Sequence, residues 1–206
     1  MTEDTLGSGR CEHLGEGPDG LEVLKVADAA AFETWLVREH ATAAGVWLAH
    51  AKRASGLTTV SYAEALDVCL CLGWIDSQSR SYDASLYLQR YTPRRARSPW
   101  SQVNRDKVAV LTEAGRMRPE GLAEVERARS DGRWDAAYAP PSRIEVPDDL
   151  RAALDADPAA AAFFATLSGA NRYAVLYRVH AAKRPETRAR RIAGFVQMLA
   201  DGRTLH

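Results

Sequence analysis

Hydrophobic and polar positions change period several times along this chain, and each change marks an element. Residues 21–26 alternate as a short strand does, and Asp28 then caps a helix whose inward stripe is Phe32, Trp35, Leu36 and Val37. Gly45 breaks that helix, 46–52 read as a second strand, and Ser55-Gly56 supply the turn after it. Ser61 with Glu64 three residues later is a capping-box start for a helix that runs to Leu72 and is apolar nearly all round at its end. A helix with no polar side has none to give to water, so it is expected to be buried, and Gly73 stops it. Residues 74–78 and 86–92 predict two further strands joined by a polar loop around Asp83.

From residue 98 the period becomes helical. Ser98 followed by Pro99 has the order that opens a helix, predicted over 99–114, and a second follows over 119–130, stopped by Gly132. Residues 134–147, with Pro140-Pro141, form a connector, and four more helices follow over 148–156, 158–167, 169–183 and 186–200. The expected class is α+β: a small, mostly antiparallel sheet packed with helices, followed by a helical C-terminal segment. Three regions are expected, namely a disordered or loosely attached tail over 1–20, an α+β domain over 21–139, and a helical segment packed on it over 140–206. The tail contains Gly15, Gly17 and Gly20 in G-x-G-x-x-G order. No strand precedes them and Pro18 interrupts them, so the dinucleotide fingerprint lacks its context.

Composition narrows the function classes. The 206 residues are 46% hydrophobic and 26% charged, with 27 basic and 27 acidic residues, which is the make-up of an ordinary globular protein. A zero net charge argues against a surface built throughout to coat nucleic acid or anionic membrane. The balance is global, however. Residues 90–107 carry six basic residues against Asp106, residues 178–191 carry six against Glu186, and residues 1–40 carry nine acids against Arg10, Lys25 and Arg38. No apolar run reaches membrane-spanning length, and the first twenty residues are acidic and glycine-rich, so a cytoplasmic protein with no membrane insertion is expected. Three cysteines do not make a disulfide framework; Cys69 and Cys71 read as buried thiols.

The richest segment for chemistry is 91–104, where Arg94, Arg95 and Arg97 stand beside Trp100, Ser101 and Asn104 at the expected helix start. Guanidinium forks and the unpaired N–H groups of a helix end both attract anions. The plain alternative is a solvated strand end paired with the acidic N-terminal third. Trp74 and Asp76 occupy alternate strand positions and leave the same face; if Ile75 faces the helices, they face outward toward the arginine segment, where Asp76 would pair with an arginine. The candidate ligand-binding set is therefore Trp74, Asp76, Arg94, Arg95, Trp100, Ser101 and Asn104, with Trp100 the stacking residue. Asp76 is also the one weak candidate for a general acid or base. The other tryptophans, Trp134 among them, are expected in the core. His40, His50 and His180 are scattered without metal-ligand spacing, and there is no P-loop, G-x-S-x-G or H-E-x-x-H, so no metal and no cofactor is expected.

Several of these stretches resemble a known bacterial family. Ser61-Tyr62, Glu64-Ala65-Leu66, Gly73-Trp74-Ile75-Asp76, Tyr91-Thr92-Pro93-Arg94-Arg95, Ser98, Trp100-Ser101 and Asn104 stand in the order seen in YdeI/OmpD-associated proteins, also called bacteriocin-protection proteins. The likeness runs on through Glu113-Ala114-Gly115-Arg116-Met117, Gly132-Arg133-Trp134-Asp135, Ala182-Lys183-Arg184-Pro185-Glu186-Thr187-Arg188 and Arg190-Arg191-Ile192, about residues 30 to 203 in all. The resemblance implies an α+β fold with a helical C-terminal segment and a role in stress response or resistance. It carries over no catalytic set.

Three functions follow in order of expectation. The first is a cytosolic stress or self-protection protein that binds a small or peptide-borne anionic or aromatic ligand. The second is a small-molecule enzyme, a hydrolase or biosynthetic tailoring enzyme, using Asp76 in the same cleft. The third, disfavoured by the charge balance, is a nucleic-acid-binding module using the basic runs 90–107 and 178–191.

Overall fold

The computed structural model describes residues 11–206. The chain divides into two compact units, one comprising residues through Ser98 together with Asn104–Asp135, the other Pro99–Val103 with Ala136–His206.

The first unit is built on a five-stranded sheet. Its strands are β1 (Cys11–Glu16), β2 (Glu22–Val26), β3 (Val46–Ala51), β4 (Trp74–Ser81) and β5 (Leu86–Pro93), in the spatial order β1-β2-β3-β5-β4. Only the β2–β3 pair is parallel, because α1 (Ala29–Glu39) crosses between those strands; the other three pairs are antiparallel. The α+β expectation holds. Asp28 caps α1 by accepting from the Ala31 N–H, and Ser61 and Glu64 close a full capping box at the start of α2 (Tyr62–Cys71). Helices α1 and α2 bury Phe32, Trp35, Leu36, Ala65, Val68 and Cys69 against one sheet face, where Leu24, Val26, Leu48, Trp74 and Tyr91 meet them.

The opposite sheet face carries a smaller core of Val23, Trp47, Ala49, Leu86 and Leu88. Here the expectation of a loose tail fails over residues 11–20; its first ten residues lie outside the described ones. Strand β1 pairs with β2, Leu14 and Leu21 pack on the second core, and Asp19 accepts from the Trp47 indole N–H at 2.7 Å while its other oxygen lies 2.8 Å from Arg90 Nε. A polar, glycine-rich stretch is held because it covers an indole. Gly17 sits so close that a Cβ there would stand 2.7 Å from Trp47 Nε1, which is the physical reason for a glycine in the motif-like run.

Helices α3 (Gln102–Glu113) and α4 (Pro119–Ser130) complete this part of the chain. Helix α4 packs on the C-terminal end of α2. The Arg118 N–H caps the Cys71 carbonyl at 3.1 Å, and Gly121 faces the last α2 carbonyls so closely that an added Cβ would lie 2.6 Å from Leu70 O. Lys107 to Asp67 at 2.6 Å ties α3 to α2, and Arg118 to Glu33 at 2.9 Å ties α4 to α1.

The second unit holds four helices, α5 (Asp148–Asp155), α6 (Pro158–Thr166), α7 (Gly169–His180) and α8 (Pro185–Ala200). Their apolar faces meet at Leu150, Leu154, Phe164, Val175, Leu176, Val179, Ile192 and Leu199. Asp157 and Ser168 cap α6 and α7, and Arg188 of α8 is bidentate on Asp149 of α5 while also donating to the Val179 carbonyl. Part of the 178–191 basic run is thus structural.

Substituting Gly121→Ala should lower the unfolding free energy by about 2 kcal/mol, since backbone carbonyls cannot move aside for the methyl group. Denaturant titration checks this; a variant as stable as the parent would show that α4 is not held tightly on α2.

Candidate functional site

Gly73 ends α2 and the next residue enters the core. Trp74 is 1% exposed, lies edge-on to Trp35 with ring centroids 6.2 Å apart, and donates its indole N–H to the His40 carbonyl at 3.3 Å. Alternation does put Asp76 on the same side as Trp74, but that side faces the helices. The expected outward placement is therefore inverted. The cause is hydrophobic burial: the indole has a pocket between strand and α1, and Ile75 is left half-buried on the other side. Asp76 reaches the edge of α2, where the Tyr62 hydroxyl donates to its Oδ2 at 2.8 Å. Its partner is a phenol; among the described residues no arginine makes an ion pair with it.

The arginine segment is equally divided in its roles. The Arg94 N–H donates to the Gly73 carbonyl at 3.0 Å and the residue is only 6% exposed, whereas Arg95 and Arg97 are exposed. Ser98 does not cap a helix. Its N–H donates to the Arg95 carbonyl at 2.9 Å and its hydroxyl accepts from the Arg95 N–H at 3.2 Å, closing a turn, and α3 begins three residues beyond the predicted start. In the second unit, Trp100 is 2% exposed and Ser101 is also buried, with Ser101 bridged to Tyr138. There the Gln102 N–H donates to the Tyr138 carbonyl at 2.9 Å, so an amide that was to greet an anion is already engaged. Asn104 lies half-buried in the first turn of α3. Trp74, Asp76, Arg94, Arg95 and Asn104 thus belong to the first unit and Trp100 and Ser101 to the second, and neither indole offers an open stacking face.

A buried polar chain went unread in the sequence. His50 of β3 directs Nδ1 at the Val60 carbonyl, 2.8 Å away, and Nε2 at the Tyr91 hydroxyl, 3.1 Å away. A carbonyl only accepts, so Nδ1 carries the proton and Nε2 accepts from tyrosine. Burial lowers the His50 pKa, against a smaller upward pull from the Val60 hydrogen bond, and burial raises that of Tyr91. Both rings are closed off from solvent, so the pair serves the fold.

The open site lies elsewhere. Arg105, in the first turn of α3, donates to the Trp134 carbonyl at 2.8 Å just past the end of α4, and five residues join the opposite ends, so α3 and α4 run antiparallel. Between them is a groove of about 710 Å³. Helix α3 lines it with Val108, Ala109, Thr112 and Glu113, and α4 with Pro119, Leu122, Ala123, Val125, Glu126 and Arg129. Val108 and Val125 are buried, while Leu122 is 45% exposed. Trp134 closes one end, its backbone N–H held by the Ala128 carbonyl at 2.9 Å, with the guanidinium carbons of Arg105 and Arg129 at 5.2 and 5.3 Å from its ring centroid. Apolar walls that end at an indole and two cations suit an apolar or aromatic body bearing a negative group. The sequence held only a weak sign of it: Leu122 and Val125 put apolar side chains on α4, and Leu122 stays 45% exposed, whereas Val110, the most exposed apolar residue of α3 at 65%, lies outside the groove.

Two family models match the chain. Residues 143–202 match the family described as Bacteriocin-protection, YdeI or OmpD-Associated. Residues 24–124 match a separate one, described as a Domain of unknown function (DUF8412). The resemblance to YdeI/OmpD-associated proteins is therefore matched in the C-terminal helices, and the motifs at 73–76 and 91–95 lie within the other region. No curated protein and no solved structure matches the chain.

Arg94→Ala should cost about 3 kcal/mol of stability because it removes a buried cation from its surroundings, whereas Arg95→Ala should stay within about 0.5 kcal/mol. Equal effects in urea titrations would sink that distinction. Because His50 stays neutral when folded but takes a proton when unfolded below the ordinary histidine value of 6.5, its contribution is complete above that value and is lost as pH falls through it. Stability measured at about pH 7.5 and about pH 5.5 should drop less in His50→Gln than in the parent, and an unchanged drop would remove His50 as the cause.

Proposed function

We propose that this protein acts by binding: it captures an apolar or aromatic ligand that carries a negative charge, small or peptide-borne, in the groove between α3 and α4. The observation that carries this reading is the pair of guanidinium groups flanking Trp134 at the end of an apolar groove of about 710 Å³. That volume lies within the range of about 300–1,000 Å³ typical of small-molecule sites. Val108, Leu122 and Val125 supply apolar walls, and Arg105 and Arg129, held over the Trp134 ring, supply fixed charge that needs no proton transfer to hold an anion.

Two further points support it. The C-terminal segment matches a family described by bacteriocin protection, and protection by sequestration needs affinity without a nucleophile. Asp76, the one carboxylate considered for acid–base work, is engaged by Tyr62 on another part of the fold and is not among the groove residues.

Anilinonaphthalene sulfonate, an aromatic anion, and phenylnaphthylamine, its uncharged counterpart, test the reading. Both should fluoresce on binding the parent protein and lose the signal in Leu122→Glu. Arg129→Ala should weaken the sulfonate by about tenfold and the neutral probe by less than about twofold. Equal losses for both probes in Arg129→Ala would remove the anion from the reading, and full binding by Leu122→Glu would remove the groove.

A further inference from the structure

We infer that the natural occupant of the α3–α4 groove is an amphipathic helix of a peptide or protein, seated with its acidic N-terminal turn at Trp134 and running parallel to α3. This rests on the ligand-binding reading above and goes beyond it by naming the ligand's form, direction and charge pattern.

The shape of the groove is the first argument. On α4 the lining positions Pro119, Leu122, Ala123, Glu126 and Arg129 recur at helical spacing over eleven residues, a ridge about 15 Å long. Opposite them, Val108 and Thr112, and Ala109 and Glu113, are pairs four residues apart on α3. Two such ridges with a trough between them form the surface into which a third helix packs its own. Small side chains at Ala109, Thr112 and Ala123 let another backbone come near, at the roughly 8–10 Å interaxial distance of packed helices. Leu122 on the rim is 45% exposed. A small molecule on the floor would leave it partly wet, whereas a helix laid along the trough covers it.

Charge gives the direction. Arg105 and Arg129 stand at the Trp134 end, where α3 begins; Glu126 lies 3.9 Å from Arg129 and offsets one of these charges, so that end keeps a net positive charge, while Glu113 stands at the other end, where α3 finishes. Helices favour acidic residues in the first turn and basic residues in the last, through the amides and carbonyls left unpaired there. An occupant that satisfies both its own ends and the groove's ends places its acidic N-terminal turn against the two arginines. It then runs in the same direction as α3 and antiparallel to α4.

The test uses the full chain and a synthetic peptide of about fourteen residues, or four turns, with leucine at positions i, i+4, i+7 and i+11, glutamate in the first turn and lysine in the last. The peptide should bind, gain helical circular dichroism, and displace anilinonaphthalene sulfonate. Exchanging its acidic and basic ends should weaken binding by about tenfold, and Leu122→Glu should abolish binding of both peptide and probe. If the sulfonate binds and responds to Leu122→Glu while the peptide neither binds nor displaces it, the helical occupant is refuted and the ligand-binding reading stands. Failure of the parent to bind the sulfonate at all removes both. Binding without helix gain, or with no preference for charge order, also overturns the inference. So does a dimer in sedimentation experiments that Leu122→Glu dissociates, since the occupant would then be a second copy of this chain.

Discussion

Helix α2 has almost no side to give to water, and the first unit is arranged around that fact. Ala65, Leu66, Val68, Cys69, Leu70 and Cys71 are all buried, so the helix must be covered on several sides. The sheet covers one, α1 another, and α4 closes its C-terminal end. That last contact is possible only because Gly121 brings no side chain to the Leu70 and Cys71 carbonyls, and the Arg118 N–H satisfies one of them. With α4 so placed, and α3 tied to α2 through Lys107 and Asp67, the groove between them is a consequence of burying α2.

Ion pairs between distant segments offset part of the charge segregation seen along the chain. Asp19 meets Arg90, Glu33 meets Arg118, and Asp67 meets Lys107, each an acid from the first third or so of the chain joined to a later base. Pairs this accessible contribute little apiece, about 0–1 kcal/mol. Asp19 gains more specific purpose from holding the Trp47 indole as well, and it recruits a polar hairpin to cover the second face of the sheet.

The groove draws its character from what this packing leaves over. Tryptophans that the core could absorb, Trp35, Trp47, Trp74 and Trp100, are buried. Trp134 is the exception: it stays half-exposed beyond α4, with two cations beside it. An indole and guanidinium groups that have no place in a core, set at the end of apolar walls, define an apolar surface with a charged terminus.

Local signals determined much of this protein. Asp28 and Ser61 named two helix starts, Gly73 a helix stop, the alternation over 21–26 one strand, and the short runs 46–52 and 86–92, bounded by turn or polar residues, two more, because capping and strand signals act within a few residues. Alternation likewise put Trp74 and Asp76 on a shared face. Which face that was, and what engages the first amide of α3, depended on partners distant in sequence: α1 for Trp74, Tyr62 for Asp76, Tyr138 for the Gln102 N–H. The groove was least legible, since its walls lie on two helices and its end on a connector. Only tertiary packing brings Val108, Leu122 and Trp134 together, because burial is decided by the element that finally covers a residue, and no local pattern carries that information.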